Sequence, residues 1–73
     1  MGQHKVDYLT VTQERILRCI RQAITDEGEA PTVREISDAV GLAVGSVHYQ
    51  LRELAAKNAI VRDPHRPRGI RLT

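Results

Sequence analysis

The sequence predicts a mainly α domain closed by a small β-hairpin, and three observations carry that prediction. Apolar residues recur at helical spacing in three consecutive stretches, each bounded by capping residues, glycine or asparagine. The third stretch runs into two short apolar stubs, Ile60-Val61 and Ile70-Leu72, on either side of the turn "DPHRP". Finally, 73 residues with two Tyr and neither Phe nor Trp can form only one small domain, with an aliphatic core.

Residues 1–8, "MGQHKVDY", are polar and aperiodic and are expected to form a flexible lead-in. His4 has no His or Cys partner at ligand spacing, so it reads as a surface histidine. Val6 stands where a myristoylation signal needs Ser or Thr. The first helix is expected after Thr10, where Thr10 and Gln13 form a capping-box pattern. Ile16, Leu17, Ile20, Ala23 and Ile24 then make one apolar face, Cys19 lies beside it, and Gly28 is the stop. The second helix follows Pro31. Thr32 and Glu35 repeat the capping box, Val33, Ile36 and Val40 face inward with Ala39 beside them, and Gly41 ends the helix with a positive φ. In "VGSVHYQLRELAAKN" Val47, Leu51, Leu54 and Ala55 form the third inward face, with Asn58 as terminator. Pro64 and Pro67 fall in the hairpin turn, where a missing N–H costs nothing.

Charge is unevenly distributed. Residues 1–40 hold five Lys/Arg against seven Asp/Glu, a net −2, whereas residues 41–73 hold six against two, a net +4. A basic second half is the footprint of a polyanion binder. The sequence has no arrangement of nucleophile, base and orienting acid, no Gly-rich phosphate loop and no metal-ligand cluster, so neither an enzyme nor a cofactor or metal is expected. One cysteine cannot form an internal disulfide, and no apolar run marks a signal peptide or membrane span. The expected location is the cytoplasm.

Helix, helix, tight glycine turn, helix and hairpin is the order of a three-helix winged helix-turn-helix, assigned here to residues 9–73. If Val47 and Leu51 anchor the third helix, then Ala43, Val44, Gly45, Ser46, His48, Tyr49 and Arg52 point away from the core. These are the positions from which a helix in a DNA major groove reads bases. His48, Tyr49 and Arg52 can hydrogen-bond, and Ala43 and Val44 can touch thymine methyl groups. His65, Arg66 and Arg68 on the hairpin, with Thr32 at the second helix cap, complete the candidate DNA contacts, and Arg66 and Arg68 are expected to clamp phosphate or the minor groove.

The stretches "LTVTQERIL", "APTVREISDAVGL", "LRELAAKNAIVRD" and "RGIRL" together resemble the N-terminal winged-helix domain of the LexA family of SOS-response repressors, and "RDPHRPR" resembles the wing of a subset of it. The likeness covers residues 9–73. It implies sequence-specific operator binding and transcriptional repression, with the third helix in the major groove and the wing across the backbone. Two departures stand out. The segment "GLAVGSVHYQL" is one residue shorter than the family usually has, so base contacts are not carried over residue by residue. The family's C-terminal domain for dimerisation and self-cleavage has no counterpart in these residues, so the expectation is an isolated binding domain or a stand-alone relative.

The alternative reading is a protein-interaction module that uses Val44 and Tyr49 as a sticky surface. Salt separates the two, because DNA binding weakens steeply as salt rises. The short aliphatic core leaves little for a large interface. The expected partner is therefore double-stranded DNA bearing an inverted-repeat operator, bound by a protein that is a monomer in free solution and dimerises, if at all, on the DNA.

Overall fold

Two capping boxes set where the first two helices begin. The computed structural model describes residues 9–73, and the lead-in expected over residues 1–8 lies outside them. In helix α1 (Val11–Glu27), the Thr10 hydroxyl accepts from the Gln13 N–H and the Gln13 side chain accepts from the Thr10 N–H, both at 3.1 Å. In α2 (Val33–Val40), Thr32 and Glu35 make the same reciprocal pair at 3.1 and 2.9 Å. Each box satisfies two N–H groups that the helix itself leaves unpaired. Both helices stop at glycines in the left-handed region, Gly28 at φ 79 and Gly41 at φ 74.

Helix α3 (Val44–Ala56) ends differently. Asn58 adopts φ 62, its N–H donates to the Ala55 carbonyl at 3.0 Å, and the Ala59 N–H reaches back to the Leu54 carbonyl at 2.9 Å. This pair of bonds is a Schellman motif, with asparagine taking the left-handed position more often filled by glycine. The reversal directs the chain into strand β1 (Ile60–Arg62), which pairs antiparallel with β2 (Ile70–Leu72) in the register Ile60–Leu72, Val61–Arg71 and Arg62–Ile70.

The three helices and the base of the hairpin share one core. Ile16, Ile20, Ile36, Val47, Leu51 and Leu54 are its fully buried large side chains, and Ile60 and Ile70 close it from the two strands. Burying each such aliphatic side chain contributes roughly 1.5–3 kcal/mol relative to exposure. Leu9, Cys19, Ile24, Val33, Leu42 and Ala55 pack at its edge. Ala39, expected beside the inward face of α2, is exposed. Three residues after Ile36, it falls on the flank of the helix opposite to Val33 and Val40, and an eight-residue helix buries only a narrow stripe. The architecture is the three-helix winged helix-turn-helix expected from the sequence.

Candidate nucleic-acid interface

The turn between α2 and α3 determines which face of α3 is free. The N–H groups of Gly41 and Leu42 both donate to the Ser37 carbonyl, at 2.9 and 3.3 Å, and the Ser37 hydroxyl donates to the Leu42 carbonyl. Arg15 of α1 donates to the Val40 carbonyl at 3.1 Å, occupying an acceptor that the end of α2 would otherwise leave open. A second tie holds α3 about its own axis. Gln13, only 4% exposed, accepts from Lys57 Nζ at 2.7 Å and donates to Gln50 Oε1 at 3.0 Å while still capping α1. A buried amide with three hydrogen bonds is directional in a way that aliphatic contacts are not.

With α3 so held, Val47, Leu51 and Leu54 are buried, and Ala43, Val44, Gly45, Ser46, His48, Tyr49 and Arg52 are exposed. Tyr49 is 51% exposed, so its ring is not packed into a neighbouring helix. The Arg52 guanidinium lies 5.8 Å from the ring centroid, at the outer limit of a cation–π contact. The start of α3 lacks a side-chain cap. Ala43 occupies the cap position in extended conformation, and the first turn contains no acid. The N–H groups of Val44, Gly45 and Ser46 have no acceptor within the helix, and the helix dipole adds positive potential there.

The hairpin loop is two turns in series. The Arg66 N–H donates to the Asp63 carbonyl and the Gly69 N–H to the Arg66 carbonyl, both at 3.2 Å. Pro64 and Pro67 each take the second position of a turn, which their fixed φ suits, and the Asp63 carboxylate accepts from the His65 N–H at 3.1 Å. The Asp63 N–H closes the loop on the Gly69 carbonyl at 2.6 Å. A Cβ at Gly69 would lie 2.2 Å from the Asp63 carbonyl oxygen, so the strands can approach this closely only at a glycine. The result is a stiff wing that carries His65 and Arg66 exposed at its tip.

A cleft of about 440 Å³ opens between the wing, the start of α2 and α3. Thr32, His48, His65 and Arg66, all candidates from the sequence, meet along it, together with Arg34 and Arg62. Arg34 carries a signal in the sequence: it is a cation in the first turn of a helix, against the dipole, where an acid is the favoured choice. Arg62 ends β1 and carries no comparable mark. Val44, Tyr49 and Arg52 lie outside the cleft on the exposed surface of α3.

Arg68, expected as a phosphate clamp, is bonded within the domain. Its guanidinium donates to both Glu35 carboxylate oxygens, at 2.8 and 3.0 Å, and to the Ala30 carbonyl at 3.0 Å, with Glu29 3.6 Å from Nε. The hydrogen bond from Arg68, followed by that from the Thr32 N–H, holds the Glu35 carboxyl below the usual carboxylate range. Arg68 is raised in turn, chiefly by its hydrogen bond to Glu35. Elsewhere, burial pushes the Cys19 thiol up, with negative Glu35 adding to the effect, so Cys19 is a protonated packing residue at neutral pH. Among the described residues no group of three or more His, Cys, Asp or Glu could hold a metal ion, and no helix is long and apolar enough to cross a membrane.

The sequence profile of the LexA DNA binding domain matches residues 6–69. The chain is 49% identical over 69 residues to the LexA repressor of Mycolicibacterium paratuberculosis, covering 92% of this chain and 30% of that protein. It is 48% identical over 69 residues to the LexA repressor of Mycobacterium leprae, covering 92% and 29%. Against LexA repressor 2 of Nocardia farcinica it is 48% identical over 63 residues, covering 85% and 26%. The chain thus spans less than a third of the length of the curated relatives it matches.

Proposed function

This chain belongs to the family of LexA DNA-binding domains, and we propose that it reads a specific duplex sequence and represses transcription by occupying it. The observation that supports this most directly is the convergence of Thr32, Arg34, His48, His65 and Arg66 on one cleft, with an exposed, uncapped start to the helix that supplies His48. The cleft receives the phosphate backbone, with Arg34 and Arg66 as its principal cations and the first N–H groups of α3 oriented toward a second phosphate. The exposed face of α3 enters the major groove. Tyr49, Arg52 and His48 hydrogen-bond to base edges, and Ala43, Val44, Gly45 and Ser46 make the close approach at the helix start. Arg68 is left out of this contact set because both of its terminal nitrogens already bond to Glu35, and one of them to the Ala30 carbonyl as well.

The domain acts by binding and not by catalysis, in the cytoplasm where it meets DNA. One α3 and one wing cover a half-site. Two copies on an inverted repeat, monomeric when free and in contact only on the duplex, then read the full operator. Selection of bound sequences from random duplexes, followed by titration of the preferred site at two salt concentrations, tests this reading. A recovered inverted repeat and a steep salt dependence are expected. Binding that selects no sequence and barely responds to salt would refute it and favour the interaction-module alternative.

A further inference from the structure

The wing is joined to the domain by two strands of three residues each, and a two-stranded ribbon of that size is marginal on its own. Ile60, at the helix-proximal end, and Ile70, at the loop end opposite Arg62, anchor the ribbon in the core, but residues 63–67 beyond them are exposed and carry no apolar anchor of their own. The tip turns are internally stiff, so the whole loop from Asp63 to Gly69 can swing as a unit. One side chain of that loop reaches the helices. Arg68 extends from its returning limb to the segment before α2, with three hydrogen bonds to Ala30 and Glu35 and a longer approach to Glu29. Both acceptors have other structural roles. The Ala30 carbonyl belongs to a buried residue followed by the buried Pro31. Glu35 Oε1 simultaneously accepts from the Thr32 N–H in the capping box that starts α2.

We infer that Arg68 and Glu35 form a latch that sets the angle of the wing against α2, making both of them positioning residues for DNA binding that do not touch DNA. The inference rests on the DNA-binding reading above. The latch accounts for an acid next to Arg34 at the edge of the cleft: Glu35 is neutralised by a planar, two-pronged partner whose geometry fixes direction as well as charge. With the latch closed, Arg66 and His65 line the same cleft as Arg34 and His48. With it open, only a fraction of wing orientations fits the backbone, and the apparent affinity falls by that fraction.

The sign of one substitution separates the latch from a simple charge effect. Glu35→Gln removes a negative charge beside the cleft, and electrostatics alone predicts tighter binding. The latch predicts binding about 3- to 10-fold weaker, corresponding to a competent fraction of about a third to a tenth. Glutamine still serves the capping box, so α2 keeps its start, and a thermal melt checks that it does. Arg68→Ala should weaken binding by a similar factor, the double variant should be no worse than either single one, and Arg68→Lys should recover part of the loss. Arg68→Ala should leave the slope of log affinity against log salt unchanged, whereas a lost phosphate contact lowers it by about 0.9. In the free protein, nitrogen-15 relaxation over residues 63–69 should show lower order parameters in Glu35→Gln and in Arg68→Ala. A wing that stays ordered in both variants, or Glu35→Gln binding more tightly than wild type, overturns the latch. A wild-type chain that binds no duplex at all overturns the DNA reading itself, a result that the same titration separates from failure of the latch alone.

Discussion

Replacing Ala43 by aspartate should stabilise the fold and impair DNA binding. Ala43 already has the extended backbone of a helix cap, φ −64 and ψ 152, and it is exposed. A side-chain acceptor placed there therefore needs no rearrangement to reach the N–H groups of Gly45 or Ser46. Supplying the missing cap is worth about 1 kcal/mol within a range of roughly 0.5–2, and a negative charge at the helix start adds about 0.3–1 kcal/mol. For a domain of this size each kcal/mol raises the melting temperature by roughly 4–8 °C. The same carboxylate would compete for the N–H groups assigned to phosphate. At about 4 Å from a phosphate its repulsion is about 1 kcal/mol in bulk water and about 4 kcal/mol at the effective dielectric of a protein surface. Even the lower figure weakens binding about five-fold. Ala43→Ser supplies the cap without the charge and is the control: its melting temperature should rise while its affinity stays close to wild type. Thermal melts and titration of the selected duplex at fixed salt give both numbers. If Ala43→Asp melts higher and binds as tightly as wild type, the start of α3 is not at the phosphate backbone and the proposed docking is wrong.

Three further outcomes follow from the same geometry. Gly45→Ala meets open space, so it should stabilise α3 by up to about 1 kcal/mol in a thermal melt, while the added methyl on the exposed face lowers affinity for the selected site. Gly69→Ala would push a Cβ against the Asp63 carbonyl and should cost about 1–3 kcal/mol locally; faster exchange of the Asp63 amide, with the helical circular dichroism unchanged, checks that the damage is confined to the wing. For pH, the folded-state value of Glu35 is depressed by Arg68 and Thr32, so the latch is complete above the ordinary glutamate value of about 4.3 and is lost only as pH falls below it, through the depressed value. Glu29 and Glu27 face the same guanidinium, so the readout is relaxation of residues 63–69 in the free protein, which should stay constant from pH 7 down to about 4.3 and loosen only below that.

What could be read from the sequence is what local chemistry determines. Thr10 with Gln13 and Thr32 with Glu35 are three residues apart, and each pair marks a helix start without reference to the rest of the fold. Asn58 and Gly41 were legible for the same reason, since left-handed positions admit few residue types. The outward set on α3 followed from the inward one, because Val47 and Leu51 determine the rotation of the helix. Contacts between distant residues were not legible. Gln13 reads as a cap in the sequence, yet it also holds Gln50 and Lys57, 37 and 44 residues away. Arg68 reads as one more wing cation, and only the fold brings Glu35 against it across 33 residues. A basic residue in a basic loop gives no local sign of whether its partner is a phosphate or a carboxylate. That depends on which way the limb carrying it returns to the domain.

The helix starts show where stability and function diverge. Helix α1 follows every local rule at its N-terminus: a threonine cap, a capping glutamine and an acid, Glu14, in the first turn. Its start lies away from the cleft. The starts of α2 and α3 each break a rule, and both do so toward positive potential. Helix α2 carries Arg34 in its first turn, and its one acid there, Glu35, is neutralised by Arg68. Helix α3 has alanine where a polar cap belongs, glycine one residue into the helix and no acid in its first turn. The missing cap and the glycine together forgo about 2 kcal/mol, a large share of the stability available to so small a domain. Departures that were merely tolerated would be scattered over all three helices and of either sign. Here they are confined to the starts of the two helices that contribute side chains to the cleft, and each leaves N–H groups or cations available to an anion that the folded chain does not itself supply. A duplex phosphate at α3 would restore the interactions that its missing cap leaves unmade. This is why capping α3 from within the chain with a negative charge should stabilise the protein and weaken its hold on DNA.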